Sequence, residues 1–123
     1  MKKNLLHIFM ATFCMMLMAI TAQAQCYILG SDNKWQTNVA SAELQATGTD
    51  GVYEGEGAFT NGAQYFTIVT KLTETDGDWA GLLPYRYGPA TNNALLTVNT
   101  PSDIHPQRDA SFKVPTADGT YRI

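Results

Sequence analysis

Cysteine is scarce in this sequence of 123 residues, which contains only Cys14 and Cys26. Cys14 lies in an apolar N-terminal run that we expect to be removed, so Cys26 is left without a partner in the same chain. A fold stabilised by an intrachain disulfide is therefore excluded, and so is a metal site built from several cysteines.

Positive charge is also sparse, with 8 Lys and Arg residues against 11 Asp and Glu residues. Lys2 and Lys3 belong to the N-terminal run, so six basic and eleven acidic residues remain after it, which is a formal charge of −5. An acidic chain without clusters of Lys or Arg argues against binding to nucleic acid and to anionic membrane surfaces.

The first 24 residues have the pattern of a secretory signal peptide. Two lysines precede an apolar run over residues 5–20, and the segment ends in AQA, with small residues at cleavage spacing. We expect cleavage after Ala24 and export of residues 25–123 as one domain, to the cell surface, the outer membrane or the medium. A transmembrane anchor is the weaker interpretation because the run is short. Lipid attachment at Cys26 is a minor alternative, since glutamines occupy positions 23 and 25.

A helical apolar period is missing after residue 25, where short β-prone runs alternate with Gly, Asn, Asp, Thr and Pro. These runs predict strands within residues 26–30, 51–59, 63–72, 94–98, 110–114 and 119–123. Strands at this spacing predict an all-β fold, a monomeric antiparallel β-sandwich. The alternating runs place five large side chains at or near its core: Tyr53, Phe66, Ile68, Phe112 and Tyr121.

Two further segments affect the predicted boundaries. Residues 99–110 contain two prolines and no apolar alternation, so they are predicted to form a long surface loop. The chain stops at Ile123 within the last predicted strand, which is consistent with a domain truncated at its C-terminus or with a fragment of a longer protein.

Catalytic and metal-binding patterns are lacking. His105 is the one histidine after residue 24, and it lies in a proline-bounded loop without a nucleophile motif nearby. A glycosidase needs two carboxylates beside a deep cleft, whereas the acids here lie in predicted turns and on strand faces. Residues 74–78 have part of the spacing of a calcium loop but lack its later glutamate, so a solvated turn is the better interpretation. We expect no enzyme, no cofactor and no metal ion.

Several local patterns occur in the same order as in a known family. The patterns are YILGSDNKW (27–35), DGVYEGEGAF (50–59), QYFTIVT (64–70), DW (78–79), YRYGP (85–89) and GTYRI (119–123). They resemble the motifs of the starch-binding domains of the SusE and SusF outer-membrane proteins of Bacteroidetes. The resemblance covers nearly all of residues 25–123. It implies an immunoglobulin-like sandwich that captures glucan chains at the cell surface, in association with outer-membrane glycan-uptake proteins. The chain departs from the family in lacking the usual lipobox and in having a single domain.

The stretch DGDWAGLLPYRYGP, residues 76–89, places large rings among turn-forming residues. The resemblance puts Trp35 and Trp79 at the tryptophan positions of the opening and middle motifs, and Lys71 near the family's basic residue. Independently of the family, aromatic rings can cover the C–H face of a sugar while charged or planar groups bind its hydroxyls. We therefore expect residues 76–89 to form a loop and an edge strand, in which Trp79, together with Trp35 and either Tyr85 or Tyr87, forms a shallow platform for a glucan. Lys71 and Arg86 are expected to bind its hydroxyls. The predicted glucan-binding surface is composed of Trp35, Lys71, Asp78, Trp79, Tyr85, Arg86 and Tyr87.

A second interpretation of the same residues is a secreted spacer or protein-interaction domain whose tryptophans cap the core. The orientation of Arg86 bears on this choice, because it lies between Tyr85 and Tyr87. If the two tyrosines face inward, strand alternation turns Arg86 toward solvent, and if they face outward it turns Arg86 inward.

Overall fold

A computed structural model describes residues 25–60, 62–116 and 118–123. The described chain is mostly β-strand with one short helix, which confirms the all-β prediction. The predicted signal peptide, residues 1–24, lies outside the described residues. Within the described ranges, no helix is both long enough and apolar enough to cross a membrane.

The described part of the chain contains ten strands, a one-turn helix and two 3-10 turns. The strands are β1 (Cys26–Gly30), β2 (Ala42–Ala46), β3 (Tyr53–Glu54), β4 (Glu56–Phe59), β5 (Tyr65–Val69), β6 (Arg86–Gly88), β7 (Ala94–Leu95), β8 (His105–Pro106), β9 (Phe112–Lys113) and β10 (Gly119–Arg122). The helix α1 covers Trp79–Leu82, and the 3-10 turns cover Ser31–Asn33 and Leu83–Tyr85.

The larger sheet is organised around β5, which has the β-branched and aromatic residues of the strongest predicted strand. Its path runs β3-β2-β1-β5-β6-β8, with antiparallel pairing at each step. Strand β9 pairs antiparallel with the start of β5, and β7 pairs parallel with β9. Strands β4 and β10 form a separate antiparallel two-stranded sheet.

Strand alternation divides the side chains of the large sheet between two faces. On the first face, β1 and β5 contribute Ile28 and Phe66, and β9 contributes Phe112. The two-stranded sheet covers this face: the ring of Phe59 on β4 lies 5.4 Å from the ring of Phe66, and Tyr121 on β10 lies 5.8 Å from Phe59. The main apolar core therefore lies between the two sheets.

The second face of the large sheet has a smaller core. Leu29 and Val69 are fully buried there and pack against Leu82 of α1. The segment between β5 and β6 thus folds back over the sheet and covers its second face. This segment is the one that sequence reasoning singled out for its large rings.

The five predicted core side chains are all found in the main core or packed against it. Phe66 and Phe112 are buried, and Tyr53, Ile68 and Tyr121 are partly buried against the same cluster. This part of the sequence prediction is confirmed.

The structure differs from the predicted segments at several places. Strand β2 was not predicted, because AELQA buries only Leu44 and its other side chains are exposed or half-exposed. The 99–110 segment is not wholly a loop, since His105 and Pro106 pair with β6. Residues 76–89 were expected to form a loop and an edge strand, but they contain α1, and β6 has β5 on one side and β8 on the other.

Candidate functional site

The helix α1 presents Trp79 on the second face of the sheet. The carboxylate of Asp78 caps the helix by accepting a hydrogen bond from the Gly81 amide at 3.0 Å. A side chain at Gly81 would collide with this cap, because a Cβ atom there would lie 2.2 Å from a carboxylate oxygen of Asp78. Leu82 fixes the helix to the sheet, and Trp79 is half-buried against the same small core.

Arg86 lies beneath Trp79 and is only 6% exposed. Its guanidinium carbon lies 5.2 Å from the centre of the Trp79 ring, a cation–π geometry. Its Nε donates to the hydroxyl of Thr67 at 3.1 Å, and its Nη1 donates to the carboxylate of Asp109 at 2.5 Å. Protein groups occupy these donors, so this arrangement does not favour the predicted role of Arg86 in binding a sugar hydroxyl. Arg86 supports the tryptophan from the inside.

Trp35 reaches the same place from the loop that follows β1. Lys34 and Trp35 both have left-handed backbone, with φ of 58° and 60°, and the Trp35 amide donates to the Gly30 carbonyl at 2.9 Å. Left-handed backbone is unfavourable for non-glycine residues, so this loop is held by its contacts. The Trp35 ring centre lies 6.2 Å from that of Trp79, with an angle of 60° between the ring planes. The two predicted tryptophans therefore form a contacting, half-buried pair.

Thr37 joins the Trp35 loop to the turn before α1, a role that sequence reasoning did not identify. Its side chain is fully buried. Its hydroxyl accepts from the Gly77 amide at 2.9 Å and from the Thr73 hydroxyl at 2.7 Å, and donates to the Thr75 carbonyl at 3.2 Å. Its amide donates to the carboxylate of Asp76 at 2.9 Å. No motif marks this threonine, because all its partners come from a distant segment.

A shallow depression of about 370 Å³ lies at α1, the helix that contains Trp79. Lys71, Asp78 and Tyr85 are among its lining residues, and all three are exposed. The Nζ of Lys71 lies 5.2 Å from the centre of the Tyr85 ring. Neither tryptophan lines the depression, but Trp79 lies between two residues that do, Asp78 and Gly81. The structure thus brings five of the seven predicted residues into one region.

Tyr87 is not part of this region. It pairs directly with Ile68 on β5, whereas Arg86 pairs with Val69. Residues paired across strands share a face, so Tyr87 lies on the main-core side and Arg86 lies on the side of Trp79. The prediction left Tyr85 and Tyr87 as alternatives for the platform, and the lining of the depression, which includes Tyr85 and not Tyr87, favours Tyr85.

The charges around the depression are mostly negative. Glu74 and Asp78 line it together with Lys71, and the exposed Asp76 lies between the two acids in sequence. Among the described residues, no group of three or more His, Cys, Asp or Glu side chains is arranged to hold a metal ion. Carboxylates and one ammonium group are suited to hydrogen bonding with hydroxyls.

A second depression, of about 360 Å³, provides a comparison. Its described lining residues are Ser31, Asp32, Lys34, Thr60, Gly62 and Ala63, and none of them is aromatic. A sugar ring would find polar partners there but no flat apolar surface. The region next to Trp79 is therefore the better candidate site.

Compared with known proteins, the chain matches no family model, no curated protein and no solved structure.

Proposed function

We propose that this domain is a non-catalytic carbohydrate-binding module that binds an α-glucan. The observation that carries the proposal is the contacting, half-buried pair Trp35 and Trp79, together with an open depression at the helix of Trp79 that is lined by Lys71, Asp78 and Tyr85. Stacking surface and hydroxyl-binding groups are the two components that a sugar site needs.

The tilt between the two indoles bears on the shape of the ligand. Planes inclined by 60° give an angled surface, which suits a polymer that curves better than one that lies flat. An α-linked glucan curves along its length, so this geometry supports the glucan class that the sequence resemblance implies. The surface is shallow, and this favours binding along a chain over enclosure of a single sugar.

The finer features of the fold and location belong to the same proposal. We assign the two facing sheets to an immunoglobulin-like sandwich of the SusE and SusF type, exported after cleavage at Ala24 and acting as a monomer at the cell surface or outside the cell. The main core between the two sheets and the antiparallel pairing support this assignment.

The expected affinity is weak. Two or three stacking contacts of roughly 0.5 to 1.5 kcal/mol each, with a few exposed hydrogen bonds, correspond to dissociation constants on the order of 0.1 to 1 mM. Binding to a polymer, or by several such domains, would raise the apparent affinity by avidity.

Affinity electrophoresis in gels containing amylose, pullulan or an unrelated polysaccharide tests the proposal. The wild-type protein should be retarded by the α-glucans. Trp35→Ala and Tyr85→Ala should each lose most of this retardation, because one change removes a half-buried ring and the other an exposed ring, while the buried cluster beneath Trp79 stays intact.

Leu95→Ala is a matched control. Leu95 is a large apolar side chain that is 64% exposed on β7, and it is absent from the lining of the depression. This variant should migrate like the wild type in every gel. Unchanged retardation of the double variant Trp35→Ala with Tyr85→Ala would overturn the proposal.

A protein-interaction domain is the second candidate, and a specific surface favours it. Leu95, Val98 and Ile104 are 64, 61 and 45% exposed, and they lie between the last residue of β7 and the residue before β8. Exposed apolar side chains close in sequence are typical of protein contacts. No retardation by any glycan, together with loss of binding to a protein partner in Leu95→Ser, would favour this function.

A further inference from the structure

Thr37 is close in sequence to Trp35 and is hydrogen-bonded to the segment that leads into Trp79. It follows Trp35 by two residues, and its hydroxyl accepts a hydrogen bond from the amide of Gly77, which precedes Trp79 by two residues. One buried hydroxyl thus connects the segments that carry the two rings. Such a connection fixes the rings relative to each other more directly than the packing of either ring does.

We infer that Thr37 is the positioning residue of the tryptophan pair, and that its hydroxyl sets the distance and tilt between Trp35 and Trp79. The inference deepens the proposed glucan site and rests on it only for the effect on affinity. The geometric effect follows from the hydrogen bonds alone.

Several hydrogen bonds make up this connection, and all of them involve Thr37. Its hydroxyl contacts the Gly77 amide, the Thr73 hydroxyl and the Thr75 carbonyl, and its carbonyl accepts from the Thr73 amide at 3.0 Å. The side chain is fully buried, so water cannot replace these partners without opening the interface. Thr37 therefore holds the two segments together through its hydroxyl and through its backbone amide and carbonyl.

The Trp35 loop would move if this connection were lost. Its left-handed residues, Lys34 and Trp35, are in a conformation that an unrestrained chain avoids. Contacts within the loop hold its beginning, where Asn33 bonds to the carbonyls of Gln36 and Val39. Thr37 is the contact that ties the loop to the turn before α1. Without its hydroxyl, we expect the loop to relax and to carry Trp35 away from Trp79.

Circular dichroism of the two tryptophans can measure the distance and tilt between their rings without a ligand. The chain contains two tryptophans, and their ring centres are 6.2 Å apart at an angle of 60°. Two indoles that are close and inclined couple their electronic transitions and give an exciton couplet in the circular-dichroism spectrum. The couplet reports the pair directly and does not depend on any ligand.

The test compares Thr37→Val with Thr37→Ser. Valine keeps the shape of threonine but lacks the hydroxyl, whereas serine keeps the hydroxyl and lacks the methyl group. Thr37→Val should lose the couplet, and Thr37→Ser should retain it. In amylose gels, Thr37→Val should bind about tenfold more weakly, the loss expected for one stacking contact, while Thr37→Ser should remain close to the wild type.

A milder variant covers the case in which Thr37→Val does not fold. Asp76 is exposed and accepts from the Thr37 amide, so Asp76→Ala removes one bond of the connection without creating a cavity. Glu74→Ala removes the same charge from the same turn, and among the described residues its side chain accepts no hydrogen bond from Thr37. The couplet should be smaller in Asp76→Ala than in Glu74→Ala.

The outcomes separate this inference from the proposed function. A couplet that persists unchanged in Thr37→Val overturns the positioning role whether or not glucan binds. Where Thr37→Val does not fold, a couplet of equal size in Asp76→Ala and Glu74→Ala overturns it. A couplet lost in Thr37→Val and kept in Thr37→Ser supports the role, and if glucan then fails to retard the wild-type protein, the proposed function fails and the positioning role stands.

Discussion

Replacing Arg86 by alanine is expected to lower the free energy of unfolding by about 3 kcal/mol. The side chain is buried, and its Nε and Nη2 donate to Thr67, Ala110 and Ser111 at 3.1, 3.4 and 3.5 Å. Each buried acceptor that loses its donor costs roughly 1 to 3 kcal/mol, and the two long bonds belong at the lower end. Loss of the cation–π contact with Trp79 adds roughly 0.5 to 1 kcal/mol.

The ion-pair partner of Arg86 is expected to matter much less. The carboxylate of Asp109 lies 2.5 Å from Nη1, but its side chain is 85% exposed. Solvent screens such a pair, and water can replace the carboxylate when it is removed. Asp109→Ala should therefore cost about 1 kcal/mol or less.

Urea unfolding followed by tryptophan fluorescence measures both effects. Trp79 fluorescence reports on the surroundings of Arg86, because the centre of the Trp79 ring lies 5.2 Å from the guanidinium carbon of Arg86. With a denaturant dependence of roughly 1 to 3 kcal/mol per molar urea, Arg86→Ala should lower the midpoint by about 1 to 3 M. Asp109→Ala should lower the urea midpoint by well under half of the shift seen in Arg86→Ala. Equal small shifts in the two variants would refute the argument that the buried guanidinium, rather than the surface ion pair, joins β6 to its neighbours.

Three further predictions concern other parts of the chain. Trp79→Ala should cost about 2 kcal/mol of stability and Trp35→Ala about 1 kcal/mol, because only Trp79 packs on the buried cluster; equal thermal melts would contradict this. Burial raises the pKa of the Cys26 thiol, so the folded state retains a proton that the unfolded state releases. Stability should be constant below the ordinary thiol pKa and should fall as pH rises through the folded value, and Cys26→Ala should abolish this alkaline fall in a pH series of urea titrations. Mass spectrometry of the exported protein should find Gln25 at its start, and a different start or a lipid on Cys26 would exclude the predicted cleavage.

The strand pattern could be predicted because it depends on local alternation. Phe66 and Phe112 lie in runs rich in β-branched and aromatic residues, and both enter the main core. The elements that were missed have weak local signals. Strand β2 buries one large side chain, and α1 is a single turn that depends on the Asp78 cap and on Leu82. Periodicity cannot identify a helix of four residues.

The period of a strand requires Arg86 and its neighbour Tyr87 to face opposite ways, so this relation can be read from the sequence, whereas Tyr85 belongs to the 3-10 turn before β6 and escapes the alternation. Only the folded chain shows which way each one faces, because Thr67 on β5 and the segment with Asp109 and Ser111 come together to bind the guanidinium inside. The sequence likewise indicated two tryptophans suited to a sugar surface but not that they touch. Their contact depends on the hydroxyl of Thr37 meeting the turn before α1, and hydrogen bonds between distant segments leave no pattern in a single sequence.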